Sequence, residues 1–347
     1  MLAFYNEHHA QHRPRVEMYR GELVPCAETP ERLDLVVAEF ARRGLGRIVT
    51  PHGVALASLE RIHTPRYLHF LRSAWSEWVA LDPANEGKDI LPSSWPVRGL
   101  RSDIEPDNFS ARMGLYSMDS GTPVTAGTWI AAKTGADCAI NAAHALRLGE
   151  RSTFALTRPP GHHAGADFFG GYCFLNNAAL AAQHLLDDGA AKVAIIDIDY
   201  HHGNGTQSIF YGRGDVLCVS IHGDPRTEYP FFLGHADETG VGAGEGYNMN
   251  LPLAAGATAA QWFAALETAC IRIAGHAPDA LVVSLGVDTW AGDPASKVAL
   301  QSADFLRIGE RLGYLGLPAC FVLEGGAAAA EIGINVVNVL EGFETAA

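Results

Sequence analysis

Residues 193–207 read VAIIDIDYHHGNGTQ. The run VAIIDI at 193–198 has the length and β-branched character of a buried strand, yet it leads into Asp197, Asp199, His201 and His202. Burying such groups without partners is costly, so this strand must end at a site that meets them. In an extended segment alternate residues share a face, which turns Asp197, Asp199 and His201 one way and Ile198 and Tyr200 the other. Two carboxylates and an imidazole on one side suit a cation.

Similar short apolar runs recur at 154–157 (FALT), 216–221 (VLCVSI), 280–285 (ALVVSL) and 319–323 (ACFVL). Between them lie Ala- and Leu-rich segments with helical spacing at 124–148, 176–188, 258–274 and 300–315. The alternation predicts a single α/β domain with a central, mostly parallel sheet and helices on both faces. The chemically loaded motifs follow directly after strands, where open α/β sheets hold their ligands. The stretch 81–121 is rich in Pro, Gly, Asp and Ser and weak in periodicity. It is expected to be a long functional loop insertion or an interface arm.

Two further strands end in polar groups: FALTRPPGHHAG delivers His162 and His163, and LVVSLGVDTWAGDP delivers Asp288. An acid after a strand is often only a helix cap or a solvated loop group. Three strand ends that each need a partner weaken that explanation. Asp199, His201 and Asp288 are assigned as metal ligands, and three protein ligands with an open position are the catalytic arrangement for zinc. The same donors would also accept iron, cobalt or manganese.

Composition narrows the partners. With 25 Lys+Arg against 39 Asp+Glu the formal charge is −14, and no basic stripe interrupts it, so nucleic acid and anionic membranes are poor partners. A cationic ligand would be drawn in, although acidity of this size also serves solubility. No membrane-length apolar stretch or secretory pattern is present, which predicts a cytoplasmic protein. Cys26, Cys138, Cys173, Cys218, Cys270 and Cys320 lie far apart, mostly in apolar segments, and are expected to be buried reduced thiols.

RPPGHHAG, GGYCFLNNAALAA, DIDYHHGNGTQSIFY, SIHGDP, SLGVDT and EGGAAAAEIGINVVNVLEGF occur in that order. Through this series the chain resembles the arginase and histone deacetylase superfamily, most closely the bacterial acetylpolyamine amidohydrolases. The two-metal arginase pattern DAHxD is replaced by DIDYHH, so Asp293 is expected to be a structural carboxylate rather than a ligand. The resemblance implies an arginase-like domain, one zinc ion, hydrolysis of an N-acetyl group from a small acylated amine, and a homodimer. It implies that His162 pairs with Asp197 while His163 contacts the nucleophilic water beside Asn204, where many histone deacetylases have Asp. A neutral His163 would then be general base and acid, with His162 as electrostatic support.

The resemblance further implies a substrate tunnel at Gly171, Tyr172 and Tyr229, a gate carboxylate at Glu105 with a lesser contribution from Asp119, and a structural potassium ion. That ion would be held by Asp197, Ser220 and the backbone oxygens of Asp199, His201 and Ile221. Amide hydrolysis of neutral or xenobiotic substrates is the rival within the enzyme class. Protein lysine deacetylation is disfavoured by the long loop.

One position departs from the pattern: Ala327 stands in EGGAAAAEIG where the family has its catalytic tyrosine. Losing that oxyanion donor typically costs about 10²- to 10³-fold in rate. Natural divergence to a silent metal-dependent binding protein would be expected to erode ligands or histidines as well. Their intact set points instead to an inactivating replacement in an active amidohydrolase.

Overall fold

The structure is a computed structural model and describes residues 1–346. Its strands are β1 (Leu2–Tyr5), β2 (Val16–Tyr19), β3 (Glu22–Pro25), β4 (Arg47–Val49), β5 (Ser152–Leu156), β6 (Val193–Asp197), β7 (Val216–Gly223), β8 (Asn248–Leu253), β9 (Ala280–Leu285) and β10 (Ala319–Leu323). Eight of them form one parallel sheet in the order β4-β1-β5-β10-β9-β6-β7-β8, while β2 and β3 make a separate antiparallel hairpin. The five strands expected from apolar runs are β5, β6, β7, β9 and β10. Strands β1, β4 and β8 lie towards the edges, where partial burial leaves a weaker sequence signal.

Strand residues alternate between two cores. Val193 and Ile195 pack into one hydrophobic cluster, and Ala194 and Ile196 pack into the other. Burial on both faces explains why these strands read as continuous apolar runs. Helices Thr128–Arg147 and Asn177–Asp187 cover one face; Ala259–His276 and Ser302–Gly313 cover the other, joined there by Glu31–Arg43 and Ala330–Thr345.

The order of strands builds the site. After β5 the chain crosses to β6, and β9 and β10 later insert between them. Register pairs Asp197 with Ser284 and Ala155 with Val322, so four strand ends stand side by side at similar height. Their loops carry His162–His163, Gly325–Ala327, Asp288 and Asp199–His201.

The 81–121 stretch is laced down rather than free. It contains a 3-10 turn at Pro83–Gly87 and a helix at Phe109–Leu115, it bridges to the rest through Ile90–Val124 and Ser117–Phe169, and Trp95 Nε1 donates to Ser117 Oγ at 2.8 Å. All six cysteines are buried and unpaired. Among the described residues no helix is long and apolar enough to cross a membrane.

Candidate active site

Strand β6 ends at Asp197, and two short turns then aim the side chains. Asp197 Oδ1 accepts the Asp199 N–H at 3.1 Å, and Asp199 Oδ1 accepts the His201 N–H at 2.9 Å. Ile198 and Tyr200 point into the core, as the alternation requires. From β9, Asp288 Oδ1 accepts the Tyr200 N–H at 2.7 Å, and from β10 the Gly325 N–H donates to Asp199 Oδ2 at 2.8 Å. A Cβ on Gly325 would lie 2.4 Å from that same Asp199 oxygen, so only glycine fits there.

These bonds bring the three expected ligands together. His201 Nδ1 lies 3.2 Å from Asp199 Oδ1 and 3.0 Å from Asp288 Oδ2. Asp199 and Asp288 are only 0% and 3% exposed, and two buried carboxylates are tolerated only with positive charge between them. The protonation preferences express the same demand. His201 is pushed up to about 10 because its bonds to Asp199 and Asp288 outweigh burial, and Asp288 is pushed up to about 7 by burial and by the Asp199 charge. The donor set therefore fits a divalent cation. Asp293 stands apart from it: its carboxylate accepts the backbone N–H groups of Ala295 at 2.9 Å and Ala327 at 2.7 Å.

The histidine loop after β5 is pinned by Glu324, whose Oε2 accepts the N–H groups of Gly161 at 2.6 Å and His162 at 3.1 Å. His162 Nδ1 then lies 2.9 Å from Asp197 Oδ2, and His163 Nδ1 lies 2.7 Å from Asn204 Oδ1. The rings are adjacent, with centroids 4.0 Å apart, but they titrate oppositely. Burial opposes charge on His162, yet Asp197 and Asp199 hold its pKa well above the ordinary value. Burial and the neighbouring His162 and His201 charges depress that of His163. With its Nδ1–H donated to Asn204, neutral His163 keeps the Nε2 lone pair free.

A cavity of about 1120 Å³ opens onto this group and is lined by both histidines, the three ligands, Gly171, Tyr172, Tyr229 and Ala327. Gly171 has φ +54°, and a Cβ there would meet His163 Cδ2 at 2.2 Å. Tyr229 stands edge-on to His163, centroids 5.0 Å apart and 90° between planes, so it is a cavity wall rather than an ordinary surface aromatic. Asp119 braces that wall by accepting from Tyr229 Oη at 2.7 Å and from the Gly171 N–H at 2.6 Å.

Glu105 differs from expectation. It does not line the cavity in this chain, because its carboxylate accepts from Tyr116 Oη at 2.5 Å and lies 3.8 Å from Arg112. Sequence reasoning missed Glu17, which reaches the cavity wall from the β2–β3 hairpin and accepts the Ala27 N–H at 3.1 Å. No motif marks it. Glu324 was also missed, although an acid directly after β10 was a usable signal.

For the potassium positions, Asp197 and Ser220 are register partners on β6 and β7, and Ser220 Oγ lies 2.7 Å from His222 Nδ1. Ile221 follows Ser220 in β7.

Comparison with known proteins decides the family: a histone deacetylase domain matches residues 26–343. The chain belongs to the histone deacetylase family. Within it, the chain is 53% identical to acetylpolyamine amidohydrolase 2 of Pseudomonas aeruginosa, covering 99% of both chains. It is 44% identical to the acetylpolyamine amidohydrolase of Mycoplana ramosa, again over 99% of each. A crystal structure of the acetylpolyamine aminohydrolase from Burkholderia pseudomallei superposes with a TM-score of 0.94 at 39% identity, covering 100% of this chain and 99% of that one. The deacetylase fold expected from the sequence is thus the fold of this family member.

Proposed function

We propose that this family member is a divalent-metal-dependent amidohydrolase whose framework removes acetyl groups from acetylpolyamines or similar small acylated amines, and that Ala327 impairs its turnover. One observation carries the reading: a deep cavity ends where Asp199, His201 and Asp288 converge beside a neutral, fixed His163. Near-complete coverage by acetylpolyamine amidohydrolases supports the substrate class.

When bound, a zinc ion supplies Lewis acidity towards the amide carbonyl and lowers the pKa of water. Asp199, His201 and Asp288 would hold it. The remaining work belongs to the chain. His163 Nε2 takes the proton from attacking water and returns it to the leaving amine. His162, kept charged by Asp197, stabilises negative charge developing on the reacting amide. Tyr172 and Tyr229 pack along the methylene stem, while Glu17 and Asp119 give the wall the negative charge that an alkylammonium tail prefers. A potassium ion between β6 and β7, held by Asp197, Ser220 and the carbonyls of Asp199, His201 and Ile221, would stiffen the strand end beneath His162. The cytoplasmic setting and the homodimer remain part of this reading.

The test compares acetylspermidine with an uncharged acetamide of equal length in the Ala327→Tyr protein, with and without Glu17→Gln. Preference for the charged substrate that falls at least fivefold in the Glu17→Gln protein supports the reading. Equal rates on both substrates would favour the neutral-amide hydrolase instead. A second reading, a silent binding module, rests on Ala327 alone; it predicts metal-dependent binding of acetylated amines without turnover even after tyrosine is restored.

A further inference from the structure

A second group of metal-type donors lies outside the cavity, on the face covered by the helices Thr128–Arg147 and Asn177–Asp187. His144 projects from the first helix, while His184 and the C-cap residue Asp188 belong to the second. His144 Nδ1 is 3.0 Å from Asp188 Oδ2, His184 Nε2 is 3.2 Å from the same oxygen, and the two nitrogens are 3.4 Å apart. These separations match the 3.0 and 3.2 Å found at the catalytic set. They also match the edge of a tetrahedron with metal–ligand bonds of about 2.0–2.1 Å, which is roughly 3.3 Å.

A hydrogen bond joins two atoms along a line, whereas three mutually close donors form one face around a single ion. The surroundings leave these atoms available. Arg147 donates to the backbone oxygen of Asp188 at 2.9 Å rather than to its carboxylate, and neighbouring Asp187 is engaged by Arg61 and Gln183. Side-chain exposures of 54%, 24% and 33% for His144, His184 and Asp188 leave solvent access for a fourth ligand.

We propose that His144, His184 and Asp188 form a second site, for a first-row divalent transition ion such as zinc, nickel or copper, that clamps these two helices together. Two imidazoles and one carboxylate favour such ions over calcium or magnesium, which prefer all-oxygen sets. The second helix is N-capped by Asn176, whose Nδ2 donates to Ala164 O directly after the catalytic histidines, so the clamp steadies the far end of an element that borders the active site.

The test uses tag-free full-length protein, stripped by chelator and titrated with zinc by calorimetry, with bound metal counted by elemental analysis after dialysis. The expected stoichiometry is two equivalents for the parent, one for Asp288→Asn, and none for Asp288→Asn combined with His144→Ala. Zinc should also raise the thermal midpoint of the Asp288→Asn protein, and fail to do so in the double variant. Should Asp288→Asn not fold, loss of one of two equivalents in His144→Ala, a solvent-exposed position, carries the same meaning. One equivalent in the parent overturns the proposal, as does a second equivalent that survives both His144→Ala and Asp188→Asn.

Discussion

His163 Nδ1 lies 2.7 Å from Asn204 Oδ1, whereas His162 Nδ1 lies 2.9 Å from the Asp197 carboxylate. Adjacent imidazoles thus have partners of different charge, and that difference separates their protonation states. Burial and two neighbouring histidine charges already keep His163 neutral, and an amide partner does little to reverse it. In the Ala327→Tyr background, Asn204→Asp should raise the His163 pKa, moving the acid limb of kcat/KM upwards by at least one pH unit. The sign follows from the role: a base must be deprotonated, so a carboxylate that favours the charged ring removes activity from the low-pH side. An unmoved limb would assign the proton transfer to another group.

Metal uptake should release protons. His201 is pushed up to about 10 by its bonds to Asp199 and Asp288, and Asp288 is raised to about 7 by burial and the Asp199 charge. An incoming divalent ion displaces the His201 proton at pH 8 and part of the Asp288 proton at pH 6. Calorimetric titration of the His144→Ala protein in buffers of different ionisation enthalpy should therefore show about one proton released per metal at pH 8 and more at pH 6. Apparent affinity should weaken as pH falls, by about tenfold per unit for each proton displaced.

The sheet centre was legible because strands buried on both faces are apolar over most of their length, as 193–196 and 280–283 are. Asp199 and Asp288 were legible as candidate ligands for the complementary reason that buried carboxylates just beyond the ends of such strands call for a compensating cation. Residues whose role depends on long-range closure were not. Glu17 reaches the cavity from a hairpin far away in sequence, and its local pattern resembles any exposed strand acid. Glu105 shows the converse case: the resemblance places a gate carboxylate there, whereas in this chain Tyr116 and Arg112 engage the carboxylate through packing that the local sequence does not encode.

Gly171 should be intolerant of a single methyl group. Its φ of +54° disfavours any side chain, and an added Cβ would meet His163 Cδ2 at 2.2 Å. Backbone strain of roughly 1–3 kcal/mol is one consequence, and displacement of the His163 ring is the other. Because misplacement by about 1 Å can cost on the order of 100-fold, Gly171→Ala in the Ala327→Tyr background should lower kcat 10- to 100-fold. Zinc stoichiometry should be unchanged, since Asp199, His201 and Asp288 do not touch this loop position. Elemental analysis beside steady-state kinetics separates the two effects, and loss of metal would reassign the damage to the ligand set.

Ala327 lines the cavity, and its N–H is held by Asp293 at 2.7 Å, so the backbone that would carry a tyrosine is already anchored beside the ligand group. A hydroxyl delivered from there would donate to the oxyanion, a bond that strengthens as the carbonyl becomes tetrahedral. Such a contact acts on the transition state more than on the bound substrate. The Ala327→Tyr protein should therefore gain about 10²- to 10³-fold in kcat on acetylspermidine, with KM changed only a few-fold. Binding of a non-hydrolysable acetamide analogue to the two proteins should be nearly equal. A gain of tenfold or less would mean that another donor serves the oxyanion or that the chain does not hydrolyse amides, and a large fall in KM without a rise in kcat would make residue 327 a substrate-binding position instead.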